Sequence, residues 1–251
     1  MTEALVQSHI MQPDVSVVIT FHQEGLLAHK SLLSLSRCRI AAEKAGIRVE
    51  IVATLDRPDA ETERVVRGYD GPGKPDVLLP LDIGDLGLAR NKAIREASGR
   101  WVLVCDGDDY LSENFICCCM QAASEFGGKA ILHAQLVVLF DGWNAISWQV
   151  GDDDPAFDPA CLLVCNPWNS CSFARRDLYI DVPYVRARPG ESGFGFEDWH
   201  WNCETLSLGH PHRIAEGTVH YVRRKAHGSL NAAHERHHAL IHRTRLFGFA
   251  P

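Results

Sequence analysis

The chain has 251 residues, 46% of them hydrophobic, enough for one large α/β domain or two small ones with a substantial core. Its formal charge of −7 argues against a general nucleic-acid binder. No apolar run reaches the ~18 residues that span a bilayer, and residues 1–13 lack the basic and apolar regions of a signal peptide. The chain contains 9 Cys but no CxxC pair, which favours buried, reduced thiols and a cytoplasmic setting. Peripheral attachment at the inner face of the cell membrane is compatible with this composition.

Val15–Thr20 reads as a first buried strand, followed by the polar turn Phe21-His22-Gln23-Glu24-Gly25. Leu26–Ala45 reads as a helix stopped by Gly46, and Val49–Leu55 as a second strand ending at Asp56. A short helix over Ala60–Arg67, a loop at Pro72–Pro75 and a short strand Val77–Leu81 come next. Leu88–Ala97 is helical and stops at Gly99, and Trp101–Cys105 is a further buried strand. This alternation predicts a parallel sheet covered by helices, with right-handed crossovers.

The second half is less regular. Cys117-Cys118-Cys119 falls on a helical segment, where adjacent residues point in different directions and make no compact metal site. Ala130–Phe140 reads as strand, Asp141–Pro167 as loop, Asp198–Leu208 as helix and Gly217–Val222 as a late strand. Asn231–Phe247 reads as a closing helix with His and Arg on its polar face. With no internal repeat and no low-complexity linker, we expect an N-terminal extension over 1–13 and one domain over 14–251. That domain divides into a nucleotide-binding half (14–110), an acceptor half (111–230) and a C-terminal helix (231–251).

The most informative stretch is Trp101-Val102-Leu103-Val104-Cys105-Asp106-Gly107-Asp108-Asp109, an apolar run leading straight into clustered carboxylates. Such groups repel one another unless a cation or hydrogen-bond donors sit among them, and oxygen-rich sites suit Mg2+ or Mn2+. Three further polar segments end or follow strands: Thr20-Phe21-His22-Gln23-Glu24, Asp56-Arg57 and Gly87-Leu88-Ala89-Arg90-Asn91. Parallel strands bring all these ends to one rim of the sheet, where ligands bind in open α/β folds. They offer acceptors for a base and ribose, a cation for phosphate and a metal site.

In this order, Val-Val-Ile-Thr-Phe-His-Gln-Glu, Leu-Asp, Gly-Leu-Ala-Arg-Asn-Lys-Ala and Cys-Asp-Gly-Asp-Asp resemble glycosyltransferase family 2. The resemblance continues through Gly195-Phe196-Glu197-Asp198-Trp199 to Tyr221-Val222-Arg223-Arg224-Lys225 and covers residues from about 15 to 230. It implies a GT-A, Rossmann-like α/β fold: a mostly parallel central sheet with helices on both faces, a C-terminal acceptor-side segment and a terminal helix. It further implies inverting transfer of a sugar from a nucleotide-diphosphate sugar, UDP-linked as first guess, to an acceptor hydroxyl. A glycan or lipid-linked glycan in bacterial surface-polysaccharide synthesis is the implied acceptor.

The resemblance also implies residue roles. Thr20, Phe21, His22, Glu24, Asp56, Arg90, Asn91, Asp106, Gly107, Arg223, Arg224 and Lys225 would bind the donor. Asp108 would hold Mn2+ or Mg2+, helped by Asp106 and by His220, with His227 as a rival for the histidine. A metal there neutralises charge building on the leaving diphosphate. Asp198 would be the general base, and Glu197 would orient the acceptor or substitute as base. Acids also favour a first helical turn, so a plain helix start is the alternative for that pair. Trp199, His200 and Trp201 would line the acceptor pocket, or the two tryptophans would be core.

Of the 13 His, His234, His237, His238 and His242 fall at helical spacing, yet no carboxylate or Cys completes a zinc site. A solvated or partner-facing helix is expected there. Pro189–Gly195, rich in Gly, reads as a mobile loop leading into the base. Other readings fail on particular residues. A dehalogenase-like phosphatase wants Thr or Val where Tyr110 stands. An EF-hand wants Gly at Leu111 and Glu at Cys117. A dinucleotide fold wants GxGxxG after the first strand, and a nucleotidyltransferase wants a Gly-rich loop after Ile19. A non-catalytic sugar-binding domain is the remaining rival.

Overall fold

The structure is a computed structural model and describes residues 12–225 and 230–248. The expected extension falls almost wholly outside the described residues, as does His227. The first half alternates as its sequence requires: β1 (Val15–Phe21), α1 (Leu27–Lys44), β2 (Val49–Asp56), α2 (Ala60–Gly68), β3 (Val77–Leu81), α3 (Leu86–Glu96) and β4 (Trp101–Asp106). The second half holds β5 (Tyr110–Leu111), α4 (Phe115–Glu125), β6 (Ile131–Asp141), β7 (Ala145–Trp148), β8 (Ser172–Arg175) and α5 (Arg176–Asp181). It closes with α6 (Pro189–Ser192), α7 (Glu197–Ser207), β9 (His212–Arg224) and α8 (Leu230–Arg236).

All strands join one sheet in the order β3-β2-β1-β4-β8-β6-β9-β5, with β7 paired to β6. β1 through β4 run parallel, with Val18 level with Val52 on one side and Val104 on the other. β8 then runs antiparallel to β4, so the sheet changes sense beside the acidic cluster.

β1, β2, β4 and β8 are buried on both faces, and their residues alternate between two cores. Val17, Ile19, Ile51, Leu103 and Phe173 pack with Leu32 and Leu35 of α1 and Phe115 of α4. Val18, Val52, Val102, Val104 and Ala174 pack with Ile94 of α3, Tyr179 of α5 and Trp201 of α7. Helices therefore cover both faces, as expected.

Several elements depart from the sequence expectation. α3 starts at Leu86, because Asp85 caps it by accepting the Leu88 N–H at 3.0 Å. β8 and α5 emerge where no element was expected. The 141–167 stretch carries β7 and a short 3-10 turn at Pro159–Leu163, and β9 begins well before Gly217. Pro189–Gly195 is partly ordered as α6, and Gly195 donates its N–H to the Leu240 carbonyl. The closing helix ends at Arg236, and left-handed His238 (φ 49°) turns the chain away. Of the cysteines, Cys38, Cys105, Cys119, Cys171 and Cys203 are buried, and all nine are free.

Candidate active site

The carboxyl ends of β1, β2 and β4, the start of α3, the 166–170 loop, the start of α7 and the end of β9 enclose a cleft of about 650 Å3. That volume suits a ligand of nucleotide-sugar size. Thr20, Phe21, His22, Glu24, Asp56, Arg90, Asp106, Gly107, Asp108, Glu197, Asp198, Trp199, Arg223, Arg224 and Lys225 all line it.

On the β2 side, Asp56 accepts backbone N–H bonds from Ile83, Gly84 and Asp85. Its own backbone carbonyl meets His22 Nδ1 at 2.6 Å. Glu24 accepts the His22 N–H, and burial raises its pKa despite that bond and the nearby Lys225. These contacts tie the first two strand ends into one wall.

Arg90 is fully buried and spans the floor. It donates through Nη1 to Glu197 Oε1 at 2.8 Å and through Nη2 to Asp106 Oδ1. Burial alone would lower its pKa; Asp106 and Glu197 outweigh that and raise it. Gly87, one turn earlier, permits this closeness. A Cβ there would lie 2.7 Å from the Val185 carbonyl and 3.2 Å from Glu197 Cγ. Gly107 does similar work, since a Cβ would lie 2.5 Å from Phe21 Cδ1.

The clustered aspartates each have a different partner. Asp106 binds Arg90 and accepts from Ser170 Oγ at 2.9 Å; burial works against its ionisation, but these partners lower its pKa. Asp108 pairs with Lys225 Nζ at 2.8 Å. Asp109 accepts from His220 Nε2 at 2.9 Å and from the Arg223 N–H at 2.9 Å, and burial still raises its pKa.

Asp106, Asp108 and His220, expected together on a metal, are therefore turned to three separate partners. Among the described residues, no group of three His, Cys, Asp or Glu is arranged to hold a metal ion. Asp108 keeps a carboxylate at the cleft with a cation already beside it. A metal here would displace the Lys225 ion pair and would take one protein oxygen together with ligand phosphates.

Glu197 and Asp198 open α7, at the positive end of its dipole. Phe196, the residue before them, is left-handed at φ 55°, an uncommon conformation for a bulky side chain. Burial raises Glu197 to about 7 against the pull of Arg90, and burial likewise raises Asp198. Asp198 Oδ2 accepts from Asn166 Nδ2 at 3.4 Å, whose Oδ1 accepts in turn from Asn202 Nδ2 at 3.0 Å.

The remaining expectations divide. Trp199 lines the cleft and donates to the Leu162 carbonyl. Trp201 does not line it. Two residues on, it points across the helix into the core, stacked on Tyr179 at 4.8 Å and donating to the Val182 carbonyl. His200 is turned toward the Arg243 carbonyl, away from the cleft. Asn91 clamps the backbone of Tyr184 through both ends of its amide and lies outside the cleft.

Sequence reasoning missed Asn166, Trp168, Asn169, Ser170, Phe196 and His234, all of which line the cleft. The run Asn166-Pro167-Trp168-Asn169-Ser170 was the available signal: amides and an indole packed just before a strand. Trp168 is fixed by stacking on His212 at 4.1 Å and His133 at 5.2 Å. Burial lowers the pKa of both histidines, His133 to about 3.

The model of glycosyl transferase family 2 matches residues 16–182, and the chain belongs to that family. No curated protein matches the chain. Among solved structures, TarS 1-349 of S. aureus aligns with a TM-score of 0.60 and 19% identity, over 84% of this chain and 60% of that one. Its complex with UDP-GlcNAc gives 0.62 and 17%, over 87% and 61%. The mannosyltransferase PcManGT from Pyrobaculum calidifontis, in complex with GDP-Man and Mn2+, gives 0.60 and 14%, over 87% and 59%. The chain thus spans about three fifths of each neighbour, and the likeness is one of fold.

Proposed function

We propose that this protein transfers a sugar from a nucleotide-diphosphate sugar to an acceptor hydroxyl with inversion. The observation that carries the reading is the Arg90 bridge. It sets a carboxylate with a lowered pKa (Asp106) and a pair with raised values (Glu197, Asp198) around one cleft. The first supports charge and hydroxyl binding on the donor side; the second suits proton removal.

Asp198 takes the acceptor proton while the acceptor oxygen attacks the anomeric carbon from the face opposite the leaving diphosphate. Burial raises the pKa of Asp198 above its ordinary value, which makes it a stronger base. Asn166 holds its carboxylate. Glu197 is engaged by Arg90 and so orients rather than abstracts. Thr20, His22, Glu24 and Asp56 form the wall for base and ribose, and Arg223, Arg224 and Lys225 face the diphosphate.

Bound Mn2+ or Mg2+, held by Asp108, would supply Lewis-acid stabilisation of the leaving diphosphate. His220 and Asp106 are engaged instead by Asp109 and Arg90, and so hold the carboxylate cluster in place. A UDP-linked donor is supported by the TarS complex, and a metal by the PcManGT complex. The acceptor we assign to glycan or lipid-linked glycan chemistry in surface-polysaccharide assembly. No described helix is long and apolar enough to cross a membrane; peripheral contact at the inner face of the cell membrane is part of the proposal.

The test is Asp198→Asn. Transfer, assayed across a panel of nucleotide sugars with Mn2+, is expected to fall about 10²- to 10⁴-fold with donor binding kept. Retained turnover would overturn the assignment of the base. Absence of thermal stabilisation by every nucleoside diphosphate would instead favour a non-catalytic binding domain.

A further inference from the structure

His234 was expected on a solvated or partner-facing helix, but it is only 2% exposed and lines the cleft. Neither Nδ1 nor Nε2 has a hydrogen-bond partner among the described residues. A buried polar group without a partner costs about 1–3 kcal/mol, so such an arrangement calls for an external one.

The ring is held in place by packing. It meets the Phe196 ring edge-to-face at 4.4 Å, and Phe196 meets Trp199 at 5.7 Å. Gly195 leaves the room it needs, since a Cβ there would lie 2.7 Å from His234 Cδ2. The imidazole thus stands at the α7 end of the cleft, beside the left-handed residue that leads into Glu197 and Asp198. Burial lowers its pKa, so at neutral pH it offers one N–H donor and one nitrogen acceptor. That pairing matches a hydroxyl, which both gives and accepts. The aromatic rings around it suit the C–H face of a sugar. It does not favour a phosphate, which wants donors only.

We infer that His234, at the α7 end of the cleft where the donor's sugar meets the acceptor side, binds a hydroxyl of the sugar carried by the nucleotide donor, and so helps select which sugar is transferred. This rests on the proposed transferase reading. His234 is a specificity residue here, with no proton transfer assigned to it.

The test compares, by calorimetry with Mn2+, the affinity for a nucleoside diphosphate with that for its sugar-bearing form, over UDP- and GDP-linked sugars. Three variants are measured: His234→Phe keeps the packing and removes both nitrogens, His234→Gln keeps a donor and an acceptor, and Gly195→Ala pushes the ring aside. For the best donor, His234→Phe and Gly195→Ala are expected to lose about tenfold in affinity for the nucleotide sugar and nothing for the bare diphosphate. His234→Gln should recover part of the loss. If the His234→Phe protein melts like wild type and keeps the full sugar-dependent gain, the inference is overturned. A melting shift without that selective loss makes His234 structural and overturns it too. If the wild type binds neither form, the transferase reading itself has failed, which is a different outcome.

Discussion

Asp106 and Asp198 are both partly buried carboxylates on one cleft, yet their acidities move in opposite directions. Asp106 ends a central strand, where Arg90 and Ser170 satisfy it directly. Asp198 sits one residue beyond the carboxylate that takes the other arm of the same guanidinium, and its one side-chain donor is the longer contact from Asn166. Burial is common to both; hydrogen-bond partners decide. The β4 side of the cleft thus keeps its charge, while the α7 side holds its carboxylates above their ordinary pKa.

The comparison breaks most severely at Arg90. Arg90→Met leaves Asp106 and Glu197 without their shared counter-charge, and a loss of about 3–5 kcal/mol in denaturant unfolding is expected. Trp201→Ala should destabilise by a similar or slightly smaller amount, about 3–4 kcal/mol, through a cavity against Tyr179 and Tyr184. Steady-state KM values for that variant should match wild type. Trp199→Ala should raise an acceptor KM, and should destabilise less than Trp201→Ala because Trp199 is only partly buried against the Leu162 cluster.

Acidity offers a finer probe. Glu197 is held at about 7, above its ordinary 4.5, so the folded protein binds more protons than the unfolded chain between those values. The stability linked to this proton is therefore full below about pH 4.5 and lost as pH rises through about 7. Unfolding free energies measured from pH 4.5 to 8 should fall along this slope, and Glu197→Gln should flatten it. An unchanged slope would place the titrating proton elsewhere. The smallest effect is expected at Ser170→Ala. It removes one hydrogen bond to Asp106, about 1–2 kcal/mol, and should weaken donor binding without altering the pH slope set by Glu197.

The first half of the fold was legible because its strands are covered twice. Val15–Phe21 and Trp101–Asp106 can only be apolar runs, and their polar ends announce the rim. The second half hid its order. β8 is only four residues long, and nothing in Ser172–Arg175 alternates strongly. The terminal helix was over-read because His and Arg at helical spacing continue past His238, whose backbone has already turned. In the site, Glu197 and Asp198 were readable from their motif. Their neighbours were not: Trp199 and Trp201 look equivalent in sequence but face opposite sides of one helix. His220 was readable as a histidine near a strand end, but not its attachment to Asp109 across two strands.

Gly87 carries a lesson for redesign. Because the Val185 carbonyl and Glu197 already fill the space where its side chain would stand, position 87 is closed to substitution. Libraries aimed at a new sugar should leave it fixed. Asn169 is the more tractable target: it lines the same cleft, whereas its neighbours Asn166 and Ser170 hold Asp198 and Asp106.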